Sequence, residues 1–316
     1  MDMGVRKLDS RRFDMQKIVP HLWFDTQAKE AAEFYIGIFP NSEIVSSIVL
    51  KNTPSGDCDS LVFNLNGHDF LAISAGPLFQ INPSISFIVN LDPSQDDRAR
   101  EHIDLLWENL IDGGTALMPL DEYPFSKRYG WVKDKYGVTW QLILTRPEGE
   151  PRPFIVPSLM FTGANTNHAE EAMNFYLSTF KIAKAGTIAR YPEKAGSVNA
   201  GSLMFADFML EGQWFAIMDS GHEHGFTFNE AVSLLVNCED QDEIDDYWEK
   251  LSAVPESEQC GWLKDKFGVV WQISPGALND MMTNGTQEQI DRVTQAFLPM
   301  KKLVIADIEA AYSRPD

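Results

Sequence analysis

Six histidines and three cysteines are the residues of this chain whose chemistry could reach beyond packing, and their spacing limits what each could do. His222 and His224 flank Glu223, and histidines two apart share one face of an extended segment, as a pair of metal ligands would. A first-row metal would need a third or fourth ligand from elsewhere, and the flanking Gly221 and Gly225 make the segment read as a solvated loop. Cys58, Cys238 and Cys260 are far apart and form no C-x-x-C pair, so neither a disulfide framework nor a cysteine-rich zinc site is expected. Only Lys264 and Lys266 stand near enough in sequence to lower the Cys260 pKa, and a reduced structural thiol is favoured over a nucleophile. His68, His102 and His168 fall at a turn and on helices, where exposure is expected; His21 falls on a predicted strand.

Other chemistry leaves no signature. The sequence holds no G-x-x-x-x-G-K-[ST] phosphate loop, no G-x-S-x-G elbow, no H-E-x-x-H pair, and no Gly-rich strand-to-helix turn suited to a dinucleotide or a methyl donor. A net charge of −20 argues against nucleic acid or an anionic membrane as partner, because phosphate-tracking surfaces need clustered Lys and Arg. No apolar run approaches the ~20 residues that span a bilayer. Arg6, Lys7, Arg11 and Arg12 have no apolar stretch behind them, so residues 1–16 read as a flexible extension and the protein as cytoplasmic.

The elements that must position these residues come in duplicate. GWVKDKYGVTWQ at 130–141 returns as GWLKDKFGVVWQ at 261–272, identical at nine of twelve positions. Each copy predicts a D-x-x-G turn, with glycine supplying the positive φ, leading into a β-rich run. Trp140 and Gln141 must then face opposite sides of their strand. The 316-residue length suits two domains. VPHLWF at 19–24 matches VPSLMF at 156–161, and each is followed by a helix with Ala31 and Tyr35, or Ala172 and Tyr176, on one face. Asn167 with Glu170 resembles a capping box for the second of these helices. Three β-like runs follow in each half, joined in part by the hairpin signals Asn66-Gly67 and Glu211-Gly212, and a further strand, helix and strands complete a second βαβββ unit per half. The halves differ at one place: Trp107 to Trp131 spans 24 residues, Trp248 to Trp262 only 14. Half two should therefore lack a strand and the aromatic, basic loop around Tyr123, Phe125 and Arg128. Past residue 274 the pattern turns helical, and this tail is expected to cover sheet surface where the missing strand leaves an edge.

With VPHLWF, AAEFY at 31–35, NGHDF at 66–70, ISFIVN at 85–90 and the repeated GW-KDK-GV-WQ segment, the chain resembles the vicinal oxygen chelate superfamily of glyoxalases, ring-cleaving dioxygenases and bleomycin-resistance proteins, in its PhnB-like, demethylubiquinone methyltransferase-like branch. The resemblance covers residues 17–274. It implies an α+β fold of tandem glyoxalase-like domains, 17–147 and 148–275, each of paired βαβββ modules forming a cupped mixed sheet, followed by a helical extension at 276–316. It also implies a divalent metal held by a first-strand residue, here His21 or Ser158, and by a carboxylate at the positions occupied by Gln141 and Gln272. A glutamine carbonyl is a poor substitute for a carboxylate, so metal catalysis is not supported and His21 remains a weak ligand candidate. A hydrogen-bonded role for His21 inside the cup is favoured.

Two readings stand. The first is a metal-independent small-molecule-binding protein whose cup is walled by Trp23, Phe24, Phe87, Trp131 and Trp140 beside His21 and Gln141, with Tyr123, Phe125 and Arg128 at its rim. Strand alternation must bury about half of the aromatic residues against helices. The second is a metal-dependent isomerase, lyase or dioxygenase using His21. Either way the partner is a small molecule, with the chain a monomeric pseudo-dimer or a homodimer.

Overall fold

A computed structural model describes residues 16–146 and 150–314, so the expected flexible extension falls almost wholly outside the described residues. The first half runs β1 (Ile18–Phe24), α1 (Ala28–Ile38), β2 (Glu43–Thr53), β3 (Gly56–Leu65), β4 (His68–Ser74), β5 (Ile85–Leu91), α2 (Ala99–Ile111), β6 (Thr115–Tyr123), β7 (Ser126–Lys133) and β8 (Thr139–Leu144). The second runs β9 (Ile155–Phe161), α3 (Ala169–Thr179), β10 (Ala183–Arg190), β11 (Leu203–Leu210), β12 (Gln213–Asp219), β13 (Val232–Cys238), α4 (Gln241–Leu251), β14 (Trp262–Lys264) and β15 (Val270–Pro275). Three helices close the chain: α5 (Gly276–Asn284), α6 (Gln287–Phe297) and α7 (Ile305–Ser313).

Strands pair across the halves. One sheet has the order β14-β15-β13-β1-β4-β3-β2 and the other β10-β11-β12-β9-β5-β8-β7-β6. At the centre of the first, β1 runs antiparallel to β13 with His21 opposite Ser233; at the centre of the second, β5 runs antiparallel to β9 with Ser86 opposite Ser158. Each cup is thus built from the first module of one half and the second module of the other. His21 and Gln141, expected in one cup, lie on different sheets.

The sheets face each other through one continuous core that includes buried residues of α1 to α4. Phe70 of one sheet meets Phe87 of the other at 5.0 Å, and Trp140 lies 5.3 Å from Phe87. The repeated D-x-x-G turns stitch this core. Asp134 accepts hydrogen bonds from the Tyr35 hydroxyl (2.7 Å), the Trp140 indole (2.9 Å) and the backbone N–H groups of Tyr136 and Val138. Asp265 does the same for Tyr176 (2.8 Å), Trp271 (2.9 Å), Phe267 and Val269. Tyr35 belongs to a module of the first sheet and Asp134 to the second, so each half is tied across sheets by its motif while its strands pair with the other half.

Local rules explain most element ends. Asn66-Gly67 and Glu211-Gly212 take positive φ at both positions (49° and 87°, 51° and 81°), which matches the twist of a two-residue hairpin. The helix starts differ from expectation. Asn167 forms no capping box: its φ is 72° and its side-chain oxygen accepts from Asn199 N and Ser202 Oγ. The end of α3 is held instead by Asp219, whose Oδ1 accepts from Asn167 N (2.7 Å) and Ala169 N (3.3 Å), while in the first half Ser74 Oγ accepts from Ala28 N (3.1 Å).

Among the described residues half two has no counterpart of β6, and the reason is a shortcut. Gln259 and Trp262 bond each other's backbones across Cys260-Gly261, both at positive φ, so a two-residue turn replaces the β6–β7 hairpin. The exposed edge is paired by the tail: Cys260 N and Gly261 N donate to Met300 O and Lys301 O, each at 2.7 Å. On the opposite edge Gln287 and Gln295 of α6 donate to Val49 O (3.1 Å) and Lys51 O (3.3 Å) of β2. The extension therefore straps both edges of the seven-stranded sheet.

Candidate ligand site

Between the seven-stranded sheet and this strap lies a cavity of about 520 Å3, lined from β1 to β4, β13 to β15, α5 and α6. Strand alternation sends one face of each strand into the core and the other here. Trp23 and Trp262 form an aromatic wall with ring centroids 6.3 Å apart, and Phe79 lies 5.1 Å from Trp23. The Trp23 indole is spent on Gly76 O (2.8 Å), so the ring presents carbon to the cavity.

The floor is polar. Gln272 of β15 uses its side-chain amide nitrogen toward His21 Nδ1 and toward Ser233 Oγ (2.8 Å), a network linking β1, β13 and β15. An amide nitrogen only donates, so His21 Nδ1 accepts and the ring proton sits on Nε2. That Nε2 is buried and has no hydrogen-bond partner among the described residues. Burial pulls the His21 pKa down to about 4, so the ring is neutral near pH 7.

The sequence-derived site residues divide. His21 and Trp23 line the cavity. Gln141 belongs to the eight-stranded sheet, where it accepts from the Tyr129 hydroxyl (2.8 Å) and donates to Ser86 Oγ (2.7 Å). Tyr123 and Phe125 pack with Tyr129, at 5.5 and 4.9 Å between centroids, and so join Gln141 in that other cup. They stand on a β6–β7 hairpin rather than a rim loop. Arg128, on the same hairpin, is held by Asp104 (2.7 Å) and Leu120 O (3.3 Å). Trp140, Phe24 and Phe87 line no cup; they are buried in the core, Trp140 bonded to Asp134, while Trp131 pairs with Gln141 on the eight-stranded sheet. His68, expected at the surface, is buried, its Nε2 unpartnered, and burial lowers its pKa to about 3. His224 bonds Ser220 Oγ (2.7 Å), and burial followed by the neighbouring His222 lowers its pKa. Burial raises the Cys260 thiol, which does not suit a nucleophile.

The site residues that sequence reasoning missed are Trp262, Phe79, Ser233 and the tail residues Met282, Thr294 and Phe297. The cross-half pairing that brings Trp262 and Ser233 to His21 has no local signal. The tail's position was readable only as a need for edge cover.

The donor set does not fit a divalent metal. His21 turns a protonated nitrogen to the cavity, its neighbours are a neutral amide and a hydroxyl, and among the described residues no three of His, Cys, Asp and Glu group as a metal site requires. Glu230, on the cavity wall, is paired with Lys264 at 2.7 Å.

Comparison with known proteins gives the fold a lineage. The family model described as 3-demethylubiquinone-9 3-methyltransferase matches twice, over residues 16–143 and 153–274. The chain belongs to this family. It is the PhnB-like branch of the vicinal oxygen chelate superfamily, here in tandem. A Bacillus cereus structure described as a putative 3-demethylubiquinone-9 3-methyltransferase, PhnB protein, is 39% identical over 41% of this chain and 100% of its own, with a TM-score of 0.37. A Staphylococcus aureus protein of known structure is 32% identical over 42% of this chain and 99% of its own, with a TM-score of 0.17. Glyoxalase I from Zea mays, at 10% identity, covers 85% of this chain and 98% of its own with a TM-score of 0.53, and so shares the fold. No curated protein matches significantly. Both matches to the family model end by residue 274, so the α5–α7 strap lies outside the matched residues. Among the described residues no helix is long and apolar enough to cross a membrane.

Proposed function

We propose that this PhnB-like protein binds a small organic molecule, without a metal, in the cup of its seven-stranded sheet. The observation that carries this reading is the cavity itself: about 520 Å3, walled mainly by apolar side chains, with the His21–Gln272 network at its floor. That is the usual make-up of a small-molecule site. Residues 17–147 and 148–275 supply the two glyoxalase-like units, and 276–316 the cover. One chain, acting as an internal pseudo-dimer in the cytoplasm, is then sufficient. Methyl transfer finds no support, since no motif for a methyl donor occurs in the sequence.

Protein purified without chelator tests the metal part. Elemental analysis should find less than stoichiometric Zn, Mn, Fe and Ni, and none of these ions should raise the melting temperature. A tightly held ion that is lost on His21→Ala substitution would overturn the proposal in favour of a metal-dependent isomerase, lyase or dioxygenase.

A further inference from the structure

The cavity carries a second unsatisfied polar group, contributed by the strap. Thr294 of α6 is completely buried, lines the same cavity as His21, and its Oγ1 has no hydrogen-bond partner among the described residues. Burying a hydroxyl or an imidazole N–H without a partner costs free energy that a partner restores, so two such groups on opposite walls of one cavity mark where a ligand's polar atoms belong. His21 Nε2–H offers a donor from the sheet; the Thr294 hydroxyl can donate or accept from the cover.

Charge narrows the class. No Lys or Arg lines the cavity among the described residues, and the charged side chains that do, Glu230 and Glu256, are acidic, Glu230 being already paired with Lys264 and Glu256 exposed. A carboxylate or phosphate would enter past negative charge and find no counter-ion, and a cation would find only neutral groups on the floor.

We propose that the cover completes the binding site, with His21 and Thr294 together selecting an uncharged, mainly apolar ligand that carries a hydrogen-bond acceptor of the carbonyl type. This rests on the reading of the seven-stranded cup as the ligand site. Trp23 and Trp262 suit a flat apolar body, and Thr294 lies beyond the residues matched to the family model.

Three molecules of one skeleton test it by calorimetric titration of the full chain: 2-acetonaphthone, 2-naphthoate and 2-ethylnaphthalene. The ketone should bind roughly tenfold or more tightly than either of the others, as one hydrogen bond to a desolvated partner and one uncompensated charge would dictate. His21→Phe should bring the ketone down to the ethyl compound, and Thr294→Val, which keeps the shape, should weaken the ketone while leaving 2-ethylnaphthalene unchanged. Naphthoate binding as tightly as the ketone, or a ketone insensitive to both substitutions, would overturn the class while leaving the cavity a ligand site. Failure of all three molecules to bind would overturn the class and the ligand site together.

Discussion

The two cups of this molecule share topology, register and even their central glutamine, yet one is hollow and the other is filled. In the eight-stranded cup Trp214 carries the Arg152 guanidinium on its face at 3.6 Å, Arg152 pairs with Asp207 (2.8 Å), and Ile88, Val156 and Ala216 close around the ring with Phe205 beside them. Aligning the hairpins at Asn66-Gly67 and Glu211-Gly212 puts Ser60, Val62 and Asp69 in the hollow cup where the filled one has Phe205, Asp207 and Trp214. The first-strand position is His21 in one and Ser158 in the other. Duplication supplied two like frames; substitution of a few inward positions left one as packing and the other as a cavity. A mouth closed by a strap rather than by a β6-type hairpin completes the difference.

Emptying the filled cup should have the largest effect. Trp214→Ala removes a buried ring and its cation stack and should cost about 3–5 kcal/mol in denaturant unfolding, whereas Leu71→Ala, at a half-buried wall that already borders space, should cost no more than about 2 kcal/mol, the low end for such a truncation. Equal costs would mean that the two cups are equally packed.

Acid should separate the cups next. The folded-state pKa of His21 is held below its ordinary value, at about 4, so the unfolded chain binds the extra proton between pH 6.5 and 4. Stability from this residue is complete above about pH 6.5 and falls as pH drops through that window. His68, lowered to about 3, acts in the same direction. His21→Ser, copying Ser158, should flatten the unfolding free energy between pH 6.5 and 4 by up to roughly 2–3 kcal/mol. An unchanged pH profile in the variant would show that His21 does not titrate in this way.

A smaller change sharpens the contrast from the other side. Ser60→Phe places in the hollow cup the ring that its sister keeps at Phe205, and should weaken 2-acetonaphthone at least ~10-fold, or about 1.4 kcal/mol, while circular dichroism stays native. Smallest of all should be Ser158→Ala: its hydroxyl is fully buried and unpartnered, so loss of the oxygen should leave stability within about 1 kcal/mol or raise it. A cost well above that would mean that Ser158 makes a contact that matters to the filled cup.

Much of the fold was legible because it is written locally. Glycines at hairpins, alternating strands and the twice-repeated D-x-x-G segment predict the modules, and the 14-residue spacing predicts the missing strand. Trp140 and Asp134 explain why that segment is kept so alike: they hold the core, and by strand alternation the neighbouring Gln141 faces away from it. What was not legible is which module joins which. Pairing of β1 with β13 spans more than two hundred residues and leaves no local pattern, so His21 was matched with Gln141 when its partner is Gln272. Tyr123, Phe125 and Arg128 were read as a rim because aromatic and basic residues cluster there; their rings pack on Tyr129 and the arginine on Asp104.

A crystal structure of the full chain grown with 2-acetonaphthone tests the central claim most directly. The account predicts density for the naphthyl ring against Trp23 and Trp262 in the seven-stranded cup, its carbonyl oxygen within hydrogen-bond distance of His21 Nε2, and a filled, unaltered eight-stranded cup. Ligand density in the eight-stranded cup or on the Tyr123–Phe125 hairpin, with the strapped cavity empty, would contradict it.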